Sequence, residues 1–69
     1  MGGDINGRIN INTAGKEELD KLPGIGSDRA QKIITYREQK GLFRNIEEIQ
    51  NVSGIGKATF EKMREKITI

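Results

Sequence analysis

Apolar residues recur at helical spacing along most of the chain and predict four helices. Three of them are expected at about residues 16–22, 27–40 and 46–51, and the fourth carries Phe60, Met63 and Ile67. Residues 9–13 alternate like an extended strand, but no partner strand is predicted, so their isoleucines are expected to pack on the helices. The pattern therefore predicts an all-α fold: a small domain of four to five helices.

Residues at the ends of these segments are typical of helix boundaries. Asn45 with Glu48 three residues later forms a capping box, and Gly15 with Glu18 resembles a weaker one because glycine has no side-chain acceptor. We expect the second helix to be capped and closed by Ser27, Asp28 and Gly41.

The chain repeats itself at an offset of thirty residues. Residues 19–26 align with residues 49–56, and the glycines at 24 and 26 match those at 54 and 56. Two copies of a helix–turn–helix unit suit a pair related by a pseudo-two-fold axis, because a solenoid needs three or more repeats. We call the two turns, residues 22–26 and 52–56, the first hairpin and the second hairpin.

A chain of sixty-nine residues can form only one small domain, close to the lower size limit for a self-sufficient hydrophobic core. Residues 1–8 are interpreted as a cloning remnant or linker, and residues 9–69 as the domain. One shared core is expected from Ile25, Ile33, Ile55, Phe60 and Met63. The join between the units is expected to be covered by Tyr36, Leu42 and Phe43.

Composition excludes most catalytic chemistry. The chain has no cysteine and no histidine, which removes thiolate nucleophiles, imidazole-based triads and Cys/His zinc sites. We expect no catalytic residue, no metal site and no cofactor, and no run of residues is apolar enough for a membrane segment. Twelve basic and ten acidic residues give a net charge of +2, which alone is typical of an ordinary solvated surface.

Each hairpin has the features of an anion site. A glycine-rich turn leading into a helix leaves the first helical amides unpaired, and the helix dipole favours an anion there. The central isoleucines are expected to point inward and anchor the turns. The candidate contacts are Gly24, Ile25, Gly26, Ser27, Asp28, Arg29 and Lys32 in the first unit, and Gly54, Ile55, Gly56, Lys57, Ala58 and Lys62 in the second.

The candidate residues have different expected roles. The amides of residues 24, 26, 28, 54, 56 and 58 would bind phosphate oxygens, and Lys57 would add charge where its counterpart Ser27 has only a hydroxyl. Three further cations would flank the nucleic-acid backbone: Arg29, Lys32 and Lys62. The carboxylate of Asp28 opposes binding unless it is turned away as a cap. The plainer interpretation is that the glycine turns only join helices.

Paired hairpins favour a duplex over a single strand. Two phosphate sites related by a two-fold axis would meet both strands across the minor groove, and phosphate contacts carry no sequence information. One tyrosine and two phenylalanines provide no evident stacking platform for unpaired bases.

The repeated pattern resembles the helix-hairpin-helix motif of DNA-binding proteins. The first copy matches it with Leu19, Leu22, Gly24, Ile25, Gly26 and Ala30. The second matches it with Ile49, Val52, Gly54, Ile55 and Gly56, but has Ser53 for the usual proline and Phe60 for the small alanine. Residues 9–69 also look like the ComEA-type competence DNA receptor, on the segments 9–19, 22–26, 34–38, 43–49 and 52–56. Gly15 stands where that family usually has serine.

The ComEA-type resemblance implies a tandem helix-hairpin-helix domain that binds double-stranded DNA without sequence preference during transformation. It also implies an extracytoplasmic location, an anchor upstream in the parent protein, and other DNA-uptake proteins as partners. Two alternatives remain: a protein-interaction module with the same fold and no DNA binding, and a piece of a larger DNA-modifying enzyme.

Overall fold

A computed structural model describes residues 7–69. Its elements in chain order are β1 (Ile9–Asn10), α1 (Lys16–Asp20), α2 (Ser27–Lys40), a 3₁₀ helix (Ile46–Asn51), α3 (Lys57–Met63), a 3₁₀ turn (Arg64–Lys66) and β2 (Ile67–Thr68). The second and third helical segments match their predicted bounds, whereas α1 is two residues shorter than predicted. The interpretation of residues 1–8 as a remnant or linker falls mainly on residues 1–6, which lie outside the described residues.

The all-α prediction needs correction because the two ends of the described chain pair as strands. β1 and β2 run parallel, with Ile9 opposite Ile67 and Asn10 opposite Thr68. The Ile11 amide extends the pairing by donating to the Thr68 carbonyl at 3.0 Å. A partner fifty-eight positions away leaves no trace in local periodicity. The fold is therefore mostly helical with one small parallel strand pair.

The predicted fourth helix ends earlier than its apolar spacing indicated. α3 stops at Met63, a 3₁₀ turn follows, and Ile67 lies in β2 with 2 % of its surface exposed. Phe60, Met63 and Ile67 are all buried. The spacing therefore identified the buried positions correctly but not the backbone conformation of the last one.

A single apolar core joins both repeated units. The five predicted core residues, at 25, 33, 55, 60 and 63, are each at most 5 % exposed. They belong to one cluster that also contains Ile11, Leu19, Phe43 and Ile49. Within residues 7–69 no polar or charged side chain is buried, so burial of apolar surface is the main stabilising contribution.

Capping agrees with the sequence at one helix and departs from it at another. The Asn45 side chain accepts a hydrogen bond from the Glu48 amide at 3.1 Å, as predicted. At α2, however, the N-cap residue is Gly26, and no side chain caps the helix. Ser27 and Asp28 lie inside the first turn, so the prediction that they act as caps is wrong.

Aromatic stacking covers the join between the units, with one difference from the prediction. The rings of Tyr36 and Phe43 stack at a centroid distance of 5.1 Å, and Phe43 is only 2 % exposed. The side-chain amide of Asn12 fixes this segment by pairing with both the amide and the carbonyl of Phe43, at 2.7 and 3.0 Å. Leu42 does not contribute to the cover, because 65 % of its surface is exposed.

Candidate nucleic-acid interface

The first hairpin connects α1 to α2 through a left-handed glycine. Gly24 has φ 79°, which L-residues with a side chain rarely adopt. The Ile25 amide donates to the Leu22 carbonyl at 3.0 Å and closes the turn. The Ile25 side chain is 5 % exposed, so it anchors the turn in the core as predicted.

The second hairpin repeats this geometry. Gly54 has φ 91°, and the Ile55 amide donates to the Val52 carbonyl at 3.0 Å. The Ile55 side chain is 2 % exposed. The same turn conformation thus occurs twice, thirty residues apart, although a 3₁₀ helix precedes the second copy and an α-helix the first.

Both hairpins lead into helices whose starting amides face no side-chain cap. Gly26 and Gly56 are the N-cap residues, with φ −104° and −99°, and neither helix start has a side-chain cap hydrogen bond. Their carbonyls accept from the amides of Ala30 and Phe60, both at 2.9 Å, which begins the helical pattern. The preceding first-turn amides have no intrahelical partner and can bind an external acceptor.

The two hairpins contact each other's units reciprocally. A Cβ atom built on Gly24 would lie 3.1 Å from Cγ2 of Thr59 in α3. A Cβ atom built on Gly54 would lie 3.0 Å from Nε of Arg29 in α2. Arg29 and Thr59 are themselves thirty residues apart, so the repeat offset relates one contact to the other. Absence of a side chain at both glycines permits this approach.

Arg29 is bonded to the backbone of both hairpins. Its Nε donates to the Gly54 carbonyl at 2.8 Å, and its Nη1 makes a longer hydrogen bond of 3.5 Å to the Gly24 carbonyl. The accepting atoms are equivalent positions of the two turns. The sequence predicted Arg29 as a flanking cation and missed this role, because the contact to Gly54 spans twenty-five residues. Thr59 was missed entirely, although the self-alignment places it opposite Arg29.

Basic side chains near the hairpins are exposed. Lys57 follows the second hairpin directly, and within residues 7–69 neither it nor Lys62 has an acidic partner within ion-pair distance. Lys32 instead lies 3.8 Å from Asp28 on the surface of α2. Such an exposed pair is weak, and it partly neutralises the carboxylate that opposes anion binding at the first hairpin.

The described residues contain neither a metal cluster nor a membrane span. Across positions 7–69, no group of three or more acidic side chains is arranged to hold a metal ion. Over the same stretch, no helix has the length and hydropathy needed to cross a bilayer.

The profile of the family described as "Helix-hairpin-helix motif" matches residues 5–68. The chain belongs to this helix-hairpin-helix family. The family match agrees with the repeated hairpin geometry, since each of the two hairpins joins a pair of helical segments in the way that the family's name describes.

Curated relatives resemble this helix-hairpin-helix domain over most of its length. It is 51 % identical over 61 residues to ComE operon protein 1 of Bacillus subtilis, covering 88 % of this chain and 30 % of that protein. It is 48 % identical over 64 residues to an uncharacterized protein of Haemophilus influenzae, covering 91 % of this chain and 57 % of the relative. The ComEA-type resemblance is thereby confirmed.

A third relative has a different printed name. The Xenopus laevis endonuclease/exonuclease/phosphatase family domain-containing protein 1 is 45 % identical over 62 residues, which cover 90 % of this chain and 11 % of the relative. The helix-hairpin-helix chain therefore spans less than two thirds of each of these three proteins.

The predicted contact residues of the helix-hairpin-helix domain lie at the two hairpins and along the helices that follow them. All are exposed except the two anchoring isoleucines: Gly24, Gly26, Ser27, Asp28, Arg29, Lys32, Gly54, Gly56, Lys57, Ala58 and Lys62. Gly24 lies against Thr59 of α3 and Gly54 against Arg29 of α2, so each hairpin packs on the helix that follows the other.

Proposed function

We propose that this helix-hairpin-helix domain binds double-stranded DNA without sequence specificity, by gripping phosphates with its two hairpins. The observation that carries the proposal is the repeated hairpin: two left-handed glycine turns of the same geometry, each lying against the helix that follows the other, and each followed by uncapped helix-start amides. Backbone amides at such turns suit anionic oxygens.

Each hairpin would bind one phosphate through its own amides. In the first, the donors are the amides of Gly24, Gly26 and Asp28; in the second, they are those of Gly54, Gly56 and Ala58. A Cβ built on Gly26 or Gly56 meets no atom within 4 Å, so this side of each turn is open to a ligand. Lys57 adds charge at the second hairpin, and Lys32 and Lys62 flank the DNA backbone.

A pseudo-two-fold relation between the hairpins is part of the proposal. The paired contacts Gly24–Thr59 and Gly54–Arg29 exchange under the thirty-residue offset, as residues do across an isologous interface. Two phosphate sites so related match the two antiparallel strands of a duplex, with the domain on the minor-groove side. Such contacts position the protein without recognising bases.

Natural competence is the proposed setting. The similarity to ComE operon protein 1 supports a part in DNA uptake, with the domain outside the cytoplasm on a longer parent protein. Other DNA-uptake proteins would be its partners. The proposed role is binding without catalysis, and neither a cofactor nor a metal ion is invoked.

The salt dependence of DNA binding tests the proposed phosphate contacts. With about three to five phosphates contacted, the plot of log affinity against log salt for a short duplex should have a slope of about −3 to −4.5. Fluorescence anisotropy with a labelled duplex measures it. Absence of binding at low salt, together with a protein ligand at the same hairpins, would favour the interaction-module alternative.

Charge reversal at the second hairpin tests whether DNA contacts that hairpin. Lys57→Glu should weaken binding to all duplexes alike and make the salt slope shallower by at least about one. Lys66→Glu is the matched control, because it makes the same charge change about 15 Å further along the chain, beyond α3. Equal losses in the two variants would contradict contact at the hairpin and indicate a general charge effect.

A further inference from the structure

Arg29 occupies a position that its charge alone does not explain. Its guanidinium group donates to the Gly54 carbonyl at 2.8 Å and to the Gly24 carbonyl at 3.5 Å. These are the carbonyls of the left-handed residue in each hairpin. One side chain, projecting from the first turn of α2, therefore reaches the backbone of both proposed phosphate sites.

Arginine suits this position better than lysine would. The guanidinium is a rigid planar group with five donors, so it can hold two carbonyls at a fixed separation, whereas an ammonium is a point charge on a flexible stem. Gly54 lets the group approach, because a Cβ there would lie 3.0 Å from Nε. The repeat has no second bridge of this kind, since Thr59 occupies the equivalent position in α3.

We propose that Arg29 is a positioning residue that fixes the spacing of the two hairpins and so presets them for two phosphates of one duplex. The inference rests on the proposed DNA binding and deepens it by naming what aligns the two sites. A preset spacing raises affinity because the ordering cost is not incurred at binding. Arg29 acts through the two turns and not as a phosphate ligand.

A pair of substitutions separates positioning from direct contact. If Arg29 is a bridge, Arg29→Lys and Arg29→Gln should both lower duplex affinity by about tenfold, because both lose the two-carbonyl geometry. If Arg29 contacts a phosphate through its charge, Arg29→Lys should bind like the parent protein, and that result would overturn the proposal. Arg37→Lys is the matched control, since Arg37 donates to the single carbonyl of Ile11 at 3.0 Å in a different part of the fold; it should retain the parent's duplex affinity.

Inorganic phosphate provides a readout that loss of stability would not mimic. A single phosphate ion needs only one hairpin, so its affinity should be the same in Arg29→Lys and the parent, as followed by amide chemical shifts in NMR titrations. A general loss of structure would weaken phosphate and duplex binding together, and that outcome would contradict a positioning role.

NMR spectra of the DNA-free protein test the Arg29 bridge independently of the proposed DNA binding. Arg29→Lys should change the amide shifts of Ile25 and Ile55 together, because one group contacts both hairpins. Changes confined to one hairpin would overturn the bridge even if the parent binds DNA. If Arg29→Lys changes the shifts at both hairpins but the parent protein binds no duplex, the proposed function is refuted and the bridge remains only as a structural contact.

Discussion

The two glycines of each hairpin have different structural roles, although the sequence pattern does not distinguish them. Gly24 and Gly54 have positive φ values and lie against side chains of the other unit. Gly26 and Gly56 have negative φ values and open space where a Cβ would lie. The first pair is therefore required by the fold, whereas the second pair would matter, in the proposed binding mode, for access to the amides.

Substituting the two glycines of the first hairpin should separate stability from binding. Gly24→Ala should lower the free energy of unfolding by about 1–2 kcal/mol, because an L-residue is strained at φ 79°. Its Cβ would also press on Thr59, 3.1 Å away. Gly26→Ala is the matched control: alanine is a poorer N-cap than glycine, but it also lowers the entropy of the unfolded chain, so the net change should be less than about 0.5 kcal/mol. Urea denaturation measures both.

The same control variant tests the ligand side of the hairpin. A methyl group at residue 26 projects into the open space beside the amides that would bind a phosphate, so Gly26→Ala should lower duplex affinity while the fold stays intact. Binding equal to that of the parent would mean that DNA does not approach the first hairpin from this side.

Among the elements, local signals predicted the helices well. Gly41 marked the end of α2 and Asn45 the start of the 3₁₀ helix, because capping residues act within a few residues of a helix end. Ser27 and Asp28 marked the start of α2 correctly, but they do not cap it, because the preceding Gly26 occupies the N-cap position.

The strand pair could not be predicted in the same way. Ile67 fits the apolar stripe of the preceding helix as well as a strand, and only its pairing with Ile9 decides between them. The hairpin bridge escaped prediction for a similar reason. The repeat established that Arg29 and Thr59 are equivalent, but which surfaces of the two units meet depends on the assembled core.

Ile67 should therefore contribute strongly to stability although only two residues follow it in the sequence. Ile67→Ala should cost about 2–5 kcal/mol, because the side chain is 2 % exposed and its removal leaves a cavity. For a domain of this size, that is a large share of the total stability. Chemical denaturation gives the value.

Ile69→Ala is the matched control for this prediction. Ile69 is 43 % exposed, so the variant should lose less than about 1 kcal/mol. A loss below about 1 kcal/mol in both variants would mean that the Ile67 side chain is not packed in the core in solution.

At the scale of the whole molecule, the net charge of +2 is small for a nucleic-acid-binding protein. Hairpin amides explain how few cations could suffice, since oriented N–H groups and helix dipoles contribute fixed partial positive charge without lysine or arginine. The exposed Lys57 beside the second hairpin then adds a full charge at one site. Modest charge is thus compatible with the proposed salt-sensitive binding.

The arrangement of the two hairpins should make the domain prefer duplex DNA to single strands. A duplex holds phosphates of its two strands at a fixed separation, whereas a single strand must lose conformational freedom before it can occupy both sites. We expect a duplex to bind at least about tenfold more tightly than either of its strands, which corresponds to about 1.4 kcal/mol. Duplexes of unrelated sequence should bind within about threefold of one another, because phosphate contacts carry no base information. Competition anisotropy at matched salt measures both ratios, and Arg29→Lys should reduce the duplex preference while leaving single-strand affinity unchanged. A parent protein that binds single strands as tightly as duplexes would contradict two hairpins acting on two strands.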